Sequence, residues 1–219
     1  MPLDAQQGGT AALSHHPGRP PVPYSPTARS TESRTALLVA ARRLFSTVGY
    51  PGTSVSDIVG EAGTSVGLLY YHFGSKANVF LTIWTDYQRR QQERTTAAVY
   101  EARRAGRSGP EQYLAGVRSY LEGSWADRDI VPMLHGPALP AGFGETVGHG
   151  ARRWSRRAAG LLPGYDPVTI GHAILMLNEG LSGACLDLAT CADEEAATRS
   201  IEAVVHLVRS LMDCLPAPS

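Results

Sequence analysis

Lysine is almost missing from this chain. Lys76 is the only one among 219 residues, and every other basic side chain is arginine. Cysteine is also scarce. Cys185, Cys191 and Cys214 stand without metal-site spacing, which argues against a zinc module or a disulfide framework; they read as reduced thiols serving as small hydrophobes. No apolar run approaches the ~20 residues of a membrane span, and the first residues lack the apolar core of a secretion signal. A cytoplasmic protein without membrane partners is expected. Walker loop, nucleophile elbow, HExxH and CxxC motifs are all lacking, so no enzyme chemistry, cofactor or metal is expected. Net charge is missing too: 20 basic residues balance 20 acidic ones. Residues 1–104 nevertheless carry 11 Arg/Lys against 7 Asp/Glu, and residues 105–219 carry 9 against 13. A basic N-terminal half suits a nucleic-acid partner, although within 31–80 the excess is a single charge.

What is present concentrates in residues 53–76, TSVSDIVGEAGTSVGLLYYHFGSK. Ser54-Val55-Ser56-Asp57 has the spacing of a capping box, with Asp in the place usually held by Glu or Gln. A short helix is predicted to follow, with Val55, Ile58, Val59 and Ala62 inward. Gly63 falls where a left-handed residue ends such a helix. Thr64 and Ser65 cap a second short helix over Val66–Phe73. This is the pattern of a helix-turn-helix, whose second helix enters the major groove of duplex DNA. Gly67 permits close backbone approach. Tyr70, Tyr71 and His72 offer polar tips to phosphates or base edges. Ser75 caps a third helix and places Lys76 in its first turn. A cation there opposes the helix dipole, and a phosphate would explain it.

Residues 37–80, with Ala40-Ala41, Leu44-Phe45, Gly49-Tyr50, Thr53, Asp57-Ile58, Ala62-Gly63, Ser65, Gly67, Tyr70, His72-Phe73, Ser75 and Lys76, closely resemble the DNA-binding head of the TetR family of bacterial transcriptional regulators. Ala77 and Asn78 depart from the acidic residues often found there. The resemblance covers about a fifth of the chain. It implies an all-α, dimeric regulator of about nine helices: a three-helix head over 31–80 and a ligand-binding and dimerisation domain over 81–219. Thr53, Ser65, Tyr70, His72 and Lys76 are then expected mainly on phosphates and Val66, Leu68 and Tyr71 at bases of a palindromic operator, with Thr64 and Gly67 also on the DNA-binding surface.

The remaining chain reads as helices on hydrophobic period. Residues 1–30, rich in Pro, Gly, Ser and Gln, read as a disordered leader, alternatively as an arm carrying Arg29 and Arg34 to the minor groove. A first helix is expected over Thr31–Val48, stopped by Gly49. A long helix runs from Ser75 to about Arg104 and ends at AGRSGP. Residues 126–150, with Pro132, Pro137, Pro140 and several glycines, read as irregular around a short helix. Asp166-Pro167 opens a helix to about Thr190, and Asp193 opens the last. These two are apolar enough for a homodimer interface through Ile174, Leu177, Leu181, Ala184, Val204, Val208 and Leu211. An effector pocket is expected among Trp84, Tyr87, Tyr120, Trp125, Met133, His135, Phe143, Trp154, Met176 and Glu179, which suits a bulky, largely apolar compound. The basic run Arg152, Arg153, Arg156, Arg157 reads as a solvated face or as an attractor of acidic ligands. The expected function is a ligand-released repressor. The alternatives are a sequence-independent DNA-binding protein or a helical enzyme without a recognisable catalytic motif.

Overall fold

Side-chain caps written into the sequence set most element boundaries. Ser54, Ser65, Ser75, Ser108, Asp166 and Asp193 each accept a hydrogen bond from the backbone N–H three residues on, at Asp57, Leu68, Asn78, Glu111, Thr169 and Ala196. A cap of this kind contributes about 1 kcal/mol. The computed structural model describes residues 26–134, 139–162 and 165–215. Those residues form helices and no strand: α1 (Pro26–Gly52), α2 (Val55–Glu61), α3 (Val66–Phe73), α4 (Lys76–Arg104), α5 (Gly109–Ala126), α6 (Val131–Leu134), α7 (Phe143–Ala159), α8 (Pro167–Leu188) and α9 (Glu194–Asp213). The fold is all-α. Among the described residues, no helix is long and apolar enough to cross a membrane.

Three boundaries differ from the sequence reading. The first helix begins at Pro26, five residues inside the expected leader, because Pro suits a helix start; residues 1–25 lie outside the described residues. Gly49 breaks α1 as expected, at φ 80° and ψ 163°, but a further turn carries the helix to Gly52. The stretch read as irregular over 126–150 contains the first two turns of α7, whose start at Phe143 follows the left-handed Gly142.

The helix-turn-helix has the predicted form. Both halves of the capping box are made, with Asp57 N–H on Ser54 Oγ at 3.1 Å and Ser54 N–H on the Asp57 carboxylate at 2.8 Å. These bonds hold the Asp57 carboxyl below its ordinary value. At the other end Gly63 takes φ 61°. Its N–H reaches Gly60 O at 3.3 Å and the Thr64 N–H reaches Val59 O at 3.0 Å, a Schellman pair that turns the chain towards α3.

Two apolar cores lie along the chain. One joins α1 to α4 around Leu37, Ala41, Phe45, Ile58, Leu69 and Phe80, and it also takes in Ile130, Met133 and Phe143 from α5–α7. The head is therefore roofed by residues from beyond position 80. The second core packs α5, α7, α8 and α9 around Val117, Leu121, Ile174, Leu181, Leu188 and Val208.

α4 spans both. Its inward stripe does not end at Tyr87, as apolar periodicity suggests, but continues through the buried Gln91 and Thr95. Gln91 Nε2 donates to Tyr87 OH at 3.0 Å, Ser124 Oγ at 2.9 Å and Tyr120 O at 3.2 Å. These bonds offset the desolvation of the amide nitrogen, while Gln91 Oε1 is buried without a partner among the described residues. Gly123 leaves the room for it: a Cβ there would lie 2.1 Å from Gln91 Oε1.

An ionic junction ties head to core. Asp127, at the end of α5, meets Arg90 and Arg94 of α4 at 3.0 Å each and Arg42 of α1 at 3.4 Å; Asp129 meets Arg42 at 2.6 Å. Burial works to raise the Asp127 pKa, but the Arg94 and Arg90 guanidiniums outweigh it and hold the carboxyl below its usual value.

Candidate functional site

α3 is an eight-residue helix with two distinct faces. Leu69 and Phe73 are buried and anchor it to α1 and α4. Val66, Gly67, Leu68, Tyr70 and Tyr71 face outward, and Tyr71 is 78% exposed. Ser65 caps its N-terminus through Leu68 N–H at 3.3 Å. Burying the two anchors fixes the helix while its outer apolar and phenolic groups stay exposed. Gly67 is open as well: a Cβ there would touch only Ser65 Oγ, at 3.9 Å.

Three residues expected on phosphates face the other way. Thr53 is only 1% exposed and its hydroxyl donates to Gly49 O at 2.8 Å. The Lys76 ammonium donates to Thr53 O at 2.7 Å and Tyr50 O at 2.9 Å, and sits 4.2 Å from the centre of the Tyr50 ring. The cation at the start of α4 is therefore explained inside the fold, because it collects the carbonyls left free where α1 gives way to α2. His72 is half-buried, with Nε2 at 2.9 Å from Ser33 Oγ, and it ties α3 to α1. Tyr70, Ser65 and Thr64 remain at the outer side, the first two exposed and Thr64 half-buried. The Thr64 hydroxyl is buried and has no hydrogen-bond partner among the described residues.

A groove of about 500 Å³ runs beside this helix, between the start of α1 and the α2–α3 turn, with Arg29, Ser33, Thr64, Leu68 and Tyr71 on its walls. Arg29 therefore lies beside α3. Arg34, the other basic residue of the supposed arm, lies 5.3 Å over the Phe73 ring instead.

The effector candidates do not share one place. Trp84, Tyr120 and Trp154 converge on a cavity of about 780 Å³ between α4, α5 and α7. Tyr87 is buried behind it, with its hydroxyl 3.2 Å from Ser124 Oγ, and burial pushes its pKa up. Met133 and Phe143 belong to the head's core, and Trp125 is half-buried beneath the Arg128 guanidinium at 4.1 Å. Met176 and Glu179 lie on the outer side of α8, and His135 lies outside the described residues. The cavity has a polar wall that apolar periodicity did not select: Thr85, Gln88, Gln92 and Thr96 on α4, with Tyr113 and Arg157 opposite. The i, i+4 spacing of Trp84, Gln88 and Gln92 was the available signal.

The interface candidates also divide. Ile174, Leu181 and Val208 are 5% exposed or less and belong to the subunit's own core. Leu177, Ala184 and Val204 are half-buried, and Leu211 is exposed. The uncovered apolar groups sit one helical step away: Leu175 and Met176 on α8, Leu207 and Leu211 on α9, each more than half exposed. Of the thiols, Cys185 is buried and donates to Ser124 Oγ at 3.2 Å, Cys191 is half-buried and Cys214 is exposed; all three are unoxidised.

Comparison with known proteins agrees with this geometry. The family described as bacterial regulatory proteins, tetR family, matches residues 37–83. The HTH-type transcriptional repressor AcnR of Corynebacterium glutamicum is 34% identical over 86 residues, covering 39% of this chain and 46% of AcnR. The HTH-type transcriptional regulator LmrA of Bacillus subtilis is 50% identical over 42 residues, covering 19% of this chain and 22% of LmrA. The matched region thus spans about half or less of these curated relatives. Among solved structures, a tetR-family regulatory protein from Rhodococcus RHA1 superimposes with a TM-score of 0.60 at 18% identity, over 80% of this chain and 96% of that one. FadR from Bacillus subtilis, solved in complex with stearoyl-CoA, gives 0.62 at 14% identity, over 80% and 97%. These two similarities show the fold. The match over residues 37–83 and the Ser54–Phe73 geometry make this segment a helix-turn-helix head of the tetR family of bacterial regulatory proteins, and the described chain shares the fold of solved tetR-family proteins.

Proposed function

We propose that this protein is a DNA-binding transcriptional repressor that acts as a homodimer on a two-fold operator and is released by a small molecule held in the α4–α5–α7 cavity. The observation that carries the reading is the outward face of α3. An eight-residue helix is anchored by Leu69 and Phe73, and Val66, Gly67, Leu68, Tyr70 and Tyr71 are left uncovered at a capped helix N-terminus. Leu68 and Val66 offer methyl contacts to thymine, Tyr70 and Tyr71 offer donors to phosphate or base edges, and the exposed Ser65 offers its hydroxyl to a backbone phosphate. Thr53, His72 and Lys76 act from behind by fixing the angle of α3.

The dimer rests on the uncovered apolar residues of α8 and α9, which two copies would bury against each other as four helices. Two heads then present their α3 helices to successive major grooves, about 34–36 Å apart. The relative named a repressor supports the direction of control, and the neighbour solved in complex with stearoyl-CoA supports a small-molecule effector.

The cavity has a physical route to the head. Trp84, on its wall, meets Phe143 edge-on at 5.5 Å; Phe143 meets Phe80 at 5.2 Å; Phe80 meets Phe45 at 5.6 Å and Tyr50 at 5.3 Å. Tyr50 is the ring under Lys76. A ligand that prefers one setting of Trp84 shifts operator affinity by its difference in free energy between the two settings.

The test is titration of an operator-bearing duplex by Tyr71→Ala, beside a scrambled duplex. Loss of about tenfold on the operator alone is expected, since one mismatched contact costs this order of affinity. Equal binding of both duplexes by the unaltered protein, with a steep salt dependence, would instead indicate sequence-independent coating.

A further inference from the structure

We propose that the α4–α5–α7 cavity takes a flat aromatic compound bearing one anionic group, with the anion on Arg157 and a ring-edge polar group on the Tyr113 hydroxyl. This deepens the reading of the cavity as the effector site and rests on it.

The walls are unlike one another. α7 contributes Trp154, Arg157 and Ala158 at i, i+3 and i+4, one helical face, and the turn after it adds Leu161. α5 contributes Tyr113 and Tyr120, and α4 contributes Trp84 at one end. Rings from three helices thus border one space. Opposite α7, the α4 positions Gln88 and Gln92 present carboxamides. A cavity lined by aromatic rings together with carboxamides suits a planar ring system, whose faces meet π-systems and whose polar edge groups meet hydrogen-bonding side chains. A saturated acyl chain would fill the same volume but offer nothing to the aromatic faces.

The charge follows from the lining. Arg89 and Glu93 bond to each other at 2.9 Å and cancel. Arg157 lines the cavity, is exposed, and has no ion-pair or hydrogen-bond partner among the described residues. One cation therefore remains, and a planar guanidinium binds a carboxylate through two parallel hydrogen bonds. The polar group follows from Tyr113. Its side chain is 2% exposed and its hydroxyl is buried without a partner among the described residues. The ring packs 5.8 Å from that of Trp154. Burial raises its pKa, so the hydroxyl stays neutral and can donate or accept. An unpaired buried hydroxyl beside a cavity is the feature a ligand hydroxyl or carbonyl would satisfy.

The experiment uses the full chain, with tryptophan fluorescence and calorimetry reporting binding of hydroxynaphthoate, its neutral carboxamide analogue, unsubstituted naphthoate and dodecanoate. Hydroxynaphthoate is expected to bind and to quench the tryptophans. Arg157→Gln should weaken it about tenfold while leaving the carboxamide unchanged, as loss of one charge-assisted contact predicts. Tyr113→Phe should weaken hydroxynaphthoate more than naphthoate, and this variant retains the ring that packs on Trp154. Three results overturn the proposal: dodecanoate binding in preference to the naphthoates, equal loss of acid and carboxamide in Arg157→Gln, or no saturable hydroxynaphthoate binding at about millimolar concentration, the weakest useful affinity. Hydroxynaphthoate that binds as expected but leaves the protein on its operator would refute release by the cavity and leave the ligand class standing.

Discussion

Lys76 provides the sharpest perturbation, because the structure gives it a job that can be removed without touching the DNA-facing surface. Its ammonium holds Thr53 O and Tyr50 O at 2.7 and 2.9 Å and rests on the Tyr50 ring. Lys76→Met keeps most of the aliphatic stem and deletes the charge and its donors. Hydrogen bonds to a charged group contribute about 1.5–3 kcal/mol each. The residue is half-exposed, so water takes over part of the lost bonding. A net loss of about 2–3 kcal/mol is expected for the pair, which corresponds to a fall in Tm of about 5–10 °C in a chain of this size. Scanning calorimetry and circular dichroism measure it. Operator affinity at a temperature where the variant is still folded should change less than it does for Tyr71→Ala. A Tm within about 1 °C of the unaltered protein, together with a large loss of operator affinity, would refute the reasoning. The ammonium would then be on a phosphate and not on the two carbonyls.

Leu211→Asp should leave the subunit folded, because Leu211 is 57% exposed, and should convert the dimer to monomer in analytical ultracentrifugation; Ile174→Asp, at 1% exposure, should instead unfold the subunit. Asp127→Asn should cost about 1–2 kcal/mol at neutral pH after allowance for arginines that are about a third exposed. The folded Asp127 carboxyl has a lowered pKa, so its contribution is present above the unfolded value of about 3.9 and is lost as pH falls below it. Denaturant curves of Asp127→Asn and the unaltered protein should therefore converge in acid. Gly123→Ala should destabilise by about 1–3 kcal/mol, since the new methyl meets the buried Gln91 amide; a neutral effect in denaturant unfolding would show that the amide can move aside.

The helix-turn-helix was legible because its determinants are local. Ser54 and Asp57, Gly63, Ser65 and Ser75 each act on backbone within a few residues, and the structure repeats their spacing as bonds. The same locality revealed the starts of α8 and α9 at Asp166 and Asp193. What escaped depends on contacts distant in sequence. Lys76 pointed towards phosphate on dipole grounds, but its carbonyl partners lie 23 and 26 residues earlier. The polar wall of the cavity carries no apolar signal, since Gln88 and Gln92 are polar and Gln91 is buried only through bonds that include α5. Periodicity placed Ile174, Leu181 and Val208 on an apolar stripe without saying which edge of it the subunit's own helices cover. The start of α7 was hidden by glycine and proline composition.

The central claim is that α3, displayed twice by a symmetric dimer, reads DNA sequence. The most direct measurement is selection of bound duplexes from a random pool by the purified protein, followed by sequencing of what is retained. The account predicts a two-fold motif whose half-site centres are about one helical turn apart, or a multiple of it. Recovery of the pool's own composition, with no motif enriched, would contradict it.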